Sequence, residues 1–123
     1  ESLAAANGVV RDVPMISVDE YCRKNQVLRI DLLKIDVEGY ECRVLQGAAE
    51  ILKQHPKLAL ELHIDLLLQS GSSAQMVWQL LEDAGMLEDR KITMVCRPDW
   101  DEVKMISRFG EIPDHGVVNL FLS

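Results

Sequence analysis

Several things are scarce in this sequence of 123 residues, and each scarcity removes a class of function. Aromatic residues make up 5% of the chain, and its 13 Lys and Arg are outnumbered by 20 Asp and Glu. The formal charge is −7 and the cations are scattered, which argues against a nucleic-acid partner, because phosphate binding needs a basic stripe. The three cysteines, Cys22, Cys42 and Cys96, are odd in number, widely spaced and include no C-x-x-C pair. They read as reduced thiols packed as small apolar side chains, not as a disulfide framework or as nucleophiles, and this points to a cytoplasmic setting. No apolar run is long enough to span a bilayer, and "ESLAAANGVV" lacks the blocks of a secretory signal. No membrane partner is expected. The seven glycines fall at 8, 39, 47, 71, 85, 110 and 116, and no G-x-G pair follows an apolar strand. There are no internal repeats and no low-complexity tracts.

What the chain does have is apolar content, 48% of its residues, enough at this length to close one core without metal or disulfide help. One domain over 1–123 is expected. Residues 1–12 carry no sustained period and read as a loose entry, with "VPMIS" able to pair late. At Ser17 a capping box with Glu20 opens a short helix whose apolar face is Val18, Tyr21 and Cys22. "VLRIDLLKIDV" is β-branched and leucine-rich with little alternation, the pattern of a parallel strand covered on both faces. Val44, Leu45, Ala48, Ile51 and Leu52 then recur at helical spacing, with a kink possible at Gly47 and a stop at His55-Pro56.

"KLALELHI" reads as a second buried strand. After the loop "SGSS" comes a helix with Ser72 and Gln75 as its capping box, Met76, Val77, Leu80, Leu81 and Ala84 as its buried face, and Gly85 as its end. From Lys91 the period drops to two: "KITMVCR" and "EVKMISRF" flank the turn-rich "PDWD", and "GVVNLFLS" closes the chain, all reading as antiparallel strands. The fold class implied is an open α/β sheet, Rossmann-like in its βαβ part and mixed by its antiparallel C-terminal strands.

In such sheets ligands bind beyond the carboxyl ends of the strands. After the first strand stand Asp36, Glu38 and Gly39; after the second, Glu61 and His63. If the strands are neighbours, these four polar side chains meet at one rim. Alternation puts Lys34 and Asp36 on one side, and a charged pair so close to a buried strand must be compensated or used. Glu38 has two readings of similar weight, a substrate contact and a helix-start acid held by free N–H groups and the dipole. Asp36, Glu38, Glu61 and His63 could also make an oxygen-rich metal site, the weaker reading because no metal-motif spacing is present, and no metal is expected. His55 and His115 read as solvated surface residues.

The stretches "ISVDEYC", "DLLKIDVEGYECRVLQGAAEILKQHPKLALELH" and "GVVNLFLS" resemble, in order, the blocks of the FkbM-type methyltransferases, S-adenosylmethionine-dependent enzymes of the Rossmann-like class. The resemblance is strongest over 13–64, faint afterwards, and returns at the last strand. It implies a truncated fold in which this chain supplies the fourth strand onward and ends in antiparallel sixth and seventh strands. It also implies O-methyl transfer to a small hydroxylated or sugar acceptor, with Asp36 near the methyl donor or the accepting hydroxyl, Asp36 or His63 as base, and Glu38 and Glu61 lining the acceptor side. The family's glycine-rich cofactor turn has no counterpart here, so the cofactor-binding residues are unassigned and the missing N-terminal half would be needed to hold S-adenosylmethionine. The alternative is a half-domain without catalysis, serving as a binding or assembly module. Loss of the first strands would leave the flank of "VLRIDLLKIDV" bare, so a homodimer through that sheet edge, or cover by residues 1–16, is expected.

Overall fold

The computed structural model describes residues 8–98 and 102–123. Helix α1 (Val18–Lys24), strand β1 (Leu32–Ile35), helices α2 (Glu41–Gln46) and α3 (Ala49–Leu52), and strand β2 (Lys57–His63) form the first half. Helices α4 (Ile64–Gln69) and α5 (Ala74–Asp83) and strands β3 (Ile92–Cys96), β4 (Lys104–Ile106) and β5 (Val117–Leu122) follow. The strands make one sheet in the order β1-β2-β5-β3-β4. β1 and β2 are parallel, and the last strand inserts between β2 and β3, antiparallel to both. β3 therefore runs with β1 and β2. The three C-terminal strands all pair antiparallel with their neighbours, as "KITMVCR", "EVKMISRF" and "GVVNLFLS" read: β3 with β4 and β5, and β5 with β2 as well. The mixed α/β class with its antiparallel closing strand stands as read. Most of the turn expected at 98–101 lies outside the described residues.

Burial along β2 and β5 has a period of two. Leu58, Leu60 and Leu62 of β2 and Val118, Leu120 and Leu122 of β5 are buried, while the residues between them are half-buried or exposed. The buried set joins Ile35, Ile92, Met94 and Ile106 with Cys42 and Leu45 of α2, Leu52 of α3, Ile64 and Leu67 of α4, and Val77 and Leu81 of α5 in one core. The helices therefore cover a single face. The other face presents Leu32, Lys34, Ala59, Glu61, His63, Asn119, Phe121, Thr93, Val95 and Met105, with Phe121 and Met105 among the exposed large side chains. This overturns the reading of the first two strands as covered on both sides. β1 is also shorter than expected and lies at the sheet edge, with Leu32 exposed and Leu33 only half-buried. A leucine-rich run looks the same whether one face or two is covered, because leucine tolerates either position.

The helices show how local signals were kept or shifted. Ser17 accepts the Glu20 N–H at 3.1 Å, but the Glu20 carboxylate pairs with Lys24 instead of closing the box, and Tyr21 points to solvent. The helix expected after β1 is broken at Gly47, where α2 ends before α3 begins. Gly47 is needed for closeness: a Cβ there would sit 2.9 Å from the Ser17 Cβ, and the Gly47 carbonyl accepts the Asp19 N–H at 2.9 Å. α5 begins one residue later than read, capped by Ser73, which accepts the Met76 N–H at 3.1 Å; Met76 is exposed, and the buried face is Ala74, Val77 and Leu81. Gly85, at φ +72°, ends it as expected. The short α4 was not foreseen. "VPMIS" forms no strand, and Val9, Val10, Val13 and Met15 are all largely exposed.

One tertiary contact joins the two ends of the first βα unit. α3 starts at an alanine, which cannot cap it, and the cap comes from α1: Asp19, buried, accepts the Glu50 N–H at 2.9 Å and the Ile51 N–H at 3.1 Å. These are the orphan donors of a helix start, satisfied from 31 and 32 residues away. Asp19→Ala should therefore cost about 1–2 kcal/mol. Urea unfolding should show a lower midpoint with an unchanged slope, whereas Asp19→Asn, which keeps an acceptor, should lose less than half as much.

Candidate functional site

β1 and β2 pair in the register Lys34↔Ala59 and Ile35↔Leu60, so the residue that follows Ile35 comes out beside Glu61. Because side chains alternate across a sheet, Lys34 and Asp36 share the open face with Ala59, Glu61 and His63. The contacts bear this out. His63 Nε2 lies 3.2 Å from Asp36 Oδ1 and 3.5 Å from Glu61 Oε2. The donor atoms of Asp36, Glu61 and His63 all fall within 4.8 Å of one another. Arg97, just beyond β3, reaches across β5 to hold the other oxygen of Glu61, Nη2 to Oε1 at 3.2 Å. Beside them is a cleft of about 430 Å³, lined among others by Lys34, Asp36, Ala59, Glu61, Arg97, Asn119 and Phe121.

Three of the four rim residues named from sequence thus come together, and the fourth does not. Glu38 is exposed, in the left-handed region at φ +49°, and lies outside this cleft. Nor is it at a helix start, since α2 begins three residues later. The acid in the first turn of α2 is Glu41, fully buried, whose Oε1 accepts the Gly39 N–H at 3.0 Å while its Oε2 meets no donor among the described residues. His55 and His115 are exposed, as read, and His115 pairs with Asp114 at 2.7 Å. Cys22 and Cys42 are buried, Cys96 is half-buried, and all three are free thiols.

The turn that delivers Asp36 is held from below. Gly39 has φ +102°, and a Cβ there would lie 2.8 Å from the Leu66 Cβ and 2.9 Å from its backbone, so only glycine fits. The Gly39 carbonyl accepts from the Ser70 hydroxyl at 2.8 Å. Glu41 from one side and α4 from the other thereby fix the turn after β1 to the helix that follows β2. The two strand ends bearing Asp36 and His63 are tied through the same glycine.

Electrostatics divide the carboxylate pair. The hydrogen bond with Glu61, reinforced by that with His63, holds the Asp36 carboxyl below its usual range, while the same bond and partial burial push the Glu61 carboxyl up. The pair is therefore unequal, with Asp36 the more acidic of the two and Glu61 the less acidic. Sequence reasoning missed Arg97, Asn119 and Glu41. Arg97 had a signal, since it ends an alternating strand, but its partner is 36 residues away. Glu41 had none, because acids at helix starts are usually exposed caps.

Residues 1–87 match the model of the methyltransferase FkbM domain, and the chain belongs to that family. The match takes in every strand-end residue of the cluster up to His63 and runs on through α5, further than the resemblance read from sequence, but it stops short of β3 and the closing strand. No curated protein and no solved structure matches the chain. Among the described residues no helix is long and apolar enough to cross a membrane.

A pH dependence follows from the carboxyl pair. A raised folded value means that the Glu61 proton is held more tightly in the folded than in the unfolded protein. That contribution to stability is present below the ordinary value of 4.5 and is lost as pH rises through the raised value. Glu61→Gln, a permanent mimic of the protonated form, should thus melt at or above the parent temperature near neutral pH. Its advantage should shrink as pH is lowered toward about 4, read from thermal melts across the range. A lower melting temperature for the variant near pH 7 would contradict a raised Glu61 value.

Proposed function

We propose that this chain supplies the acceptor side of an S-adenosylmethionine-dependent O-methyltransferase, and that the acceptor is a small hydroxylated molecule such as a sugar. The observation that carries the reading is the convergence of Asp36, Glu61 and His63 at the carboxyl ends of two parallel neighbouring strands, inside the segment that matches the methyltransferase family. The methyl donor, when bound, supplies an electrophilic methyl group. The described residues do not themselves fit it: no glycine-rich turn follows a strand, and the cluster offers carboxylates and an imidazole but no backbone cradle. The cradle would come from another segment or another copy.

On the acceptor side the residues divide the work by their chemistry. Asp36, the most open of the three, takes the hydroxyl proton on its carboxylate, which the His63 N–H, 3.2 Å away, orients. Glu61, held by Arg97, contributes a hydrogen bond to a neighbouring oxygen. Glu38 would reach the acceptor only by movement of its turn and is given no role. Alignment supplies most of the rate in methyl transfer, and the base adds a smaller factor.

The test is transfer of labelled methyl from S-adenosylmethionine to a panel of sugars and small hydroxylated acceptors by the protein that carries this sequence. Asp36→Asn should lower kcat by about 10²-fold or more with little change in KM for the methyl donor, and His63→Gln should lower it less. Unchanged transfer in both variants would remove the assignment.

A second reading, a non-catalytic assembly module, is favoured by one observation: among the described residues β1 ends the sheet and pairs with β2 alone, with Leu28 and Leu32 exposed nearby. In this reading two copies join through that edge. Light scattering should then show a dimer at micromolar concentration with slowly exchanging β1 amides. A monodisperse monomer whose β1 amides exchange fast would dismiss it.

A further inference from the structure

We propose that Asp36, Glu61 and His63 form a binding site for one divalent transition-metal cation of the manganese or zinc type. Two carboxylates and an imidazole are a mixed donor set suited to such ions, more nitrogen-rich than the oxygen cages of calcium or magnesium. Spacing is the first argument. Bonds of roughly 2.1 Å set neighbouring donors about 3 Å apart around an ion. The Nε2 to Oδ1 and Nε2 to Oε2 distances are 3.2 and 3.5 Å, and all three donor atoms fall within 4.8 Å of one another. Small side-chain movements would bring them onto a single ion.

The second argument is the number of partners. His63 Nε2 faces two carboxylates at once, and a single N–H can satisfy one of them well; a cation in the centre satisfies all three donors. The imidazole is what separates this cluster from an ordinary pair of surface acids.

Support around the donors is of the kind metal ligands require. Glu61 and His63 lie two residues apart at the C-terminal end of β2, where both pair with β5, Glu61 with Asn119 and His63 with Val117, and their side chains are 12% exposed, so the sheet fixes their backbone positions. Arg97 engages Glu61 Oε1 and leaves Oε2 turned toward His63. Such an outer partner orients a ligating carboxylate. Asp36 is 45% exposed and sits beside the cleft, so the remaining coordination positions open to water or to an oxygen of a bound molecule. Lys34 and Arg97 bring positive charge to the same face, which weakens the affinity expected for a cation. If the hydroxylated-acceptor reading is right, the acceptor's oxygen would take one of the open positions, and only this last step rests on it.

Manganese(II) and, separately, zinc(II) titrated into chelator-treated protein tests the site without any methyl donor or acceptor. Calorimetry and, for manganese, electron paramagnetic resonance should give one ion per chain. Asp36→Asn and His63→Gln should each weaken binding at least tenfold. Asp114→Asn, which alters the exposed carboxylate–imidazole pair at Asp114 and His115, should leave it unchanged. Circular dichroism of each variant establishes that it is folded. No binding by the folded parent at millimolar metal would overturn the proposal, as would binding that Asp114→Asn abolishes and Asp36→Asn does not. Metal binding with no methyl transfer would keep this site and discard the proposed reaction; transfer without metal binding would do the reverse.

Discussion

Everything at the rim depends on the parallel register of β1 against β2. Leu32 stands opposite Lys57 and Ile35 opposite Leu60, which leaves Asp36 beside Glu61. A slip of one residue would send Asp36 to the helix side of the sheet and Ile35 to the open side, because the side-chain period is two. The register is set by burial. Ile35 is 2% exposed and Leu60 1%, and both belong to the core under the helices. The hydrophobic effect thus fixes which way a carboxylate points, although the carboxylate takes no part in the core.

The turn after β1 carries that order to the second strand end. Gly39 lies against Leu66, its carbonyl is held by Ser70, and its N–H is held by the buried Glu41. A carboxylate with one oxygen unpartnered in the interior is costly, on the order of 1–3 kcal/mol for the unsatisfied group. Its one good bond fixes a turn with two successive left-handed residues, Glu38 and Gly39. Stability is given up locally where geometry has to be held, and the geometry held is that of Asp36.

The sheet is asymmetric. One face is sealed by four helices and supplies the stability. The other has a row of half-buried polar and apolar side chains, and the candidate site opens onto it. The chain belongs to the FkbM methyltransferase family, and the candidate residues stand at the carboxyl ends of parallel strands, where open α/β sheets place their ligands.

The order of elements, the Gly85 helix end, the break at Gly47 and the polar character of Asp36, Glu61 and His63 were all written in local sequence, because periodicity, caps and strand ends are short-range signals. The family likeness was legible for the same reason, in the unbroken block from Asp31 to His63. What local sequence did not hold was coverage and distance. Leucine and isoleucine read alike on a sheet covered once or twice, so the open face was invisible, and with it the exposure of Leu32 and Phe121. Glu38 and Glu41 are both acids near a helix start; only the left-handed turn and the approach of Leu66 sent one to solvent and the other inside. Asp19 capping α3 and Arg97 holding Glu61 join residues more than 30 positions apart. The sequence by itself determined which residues are able to do chemistry. Packing across the sheet decided which of them meet, because contacts between distant segments exist only once the core has closed.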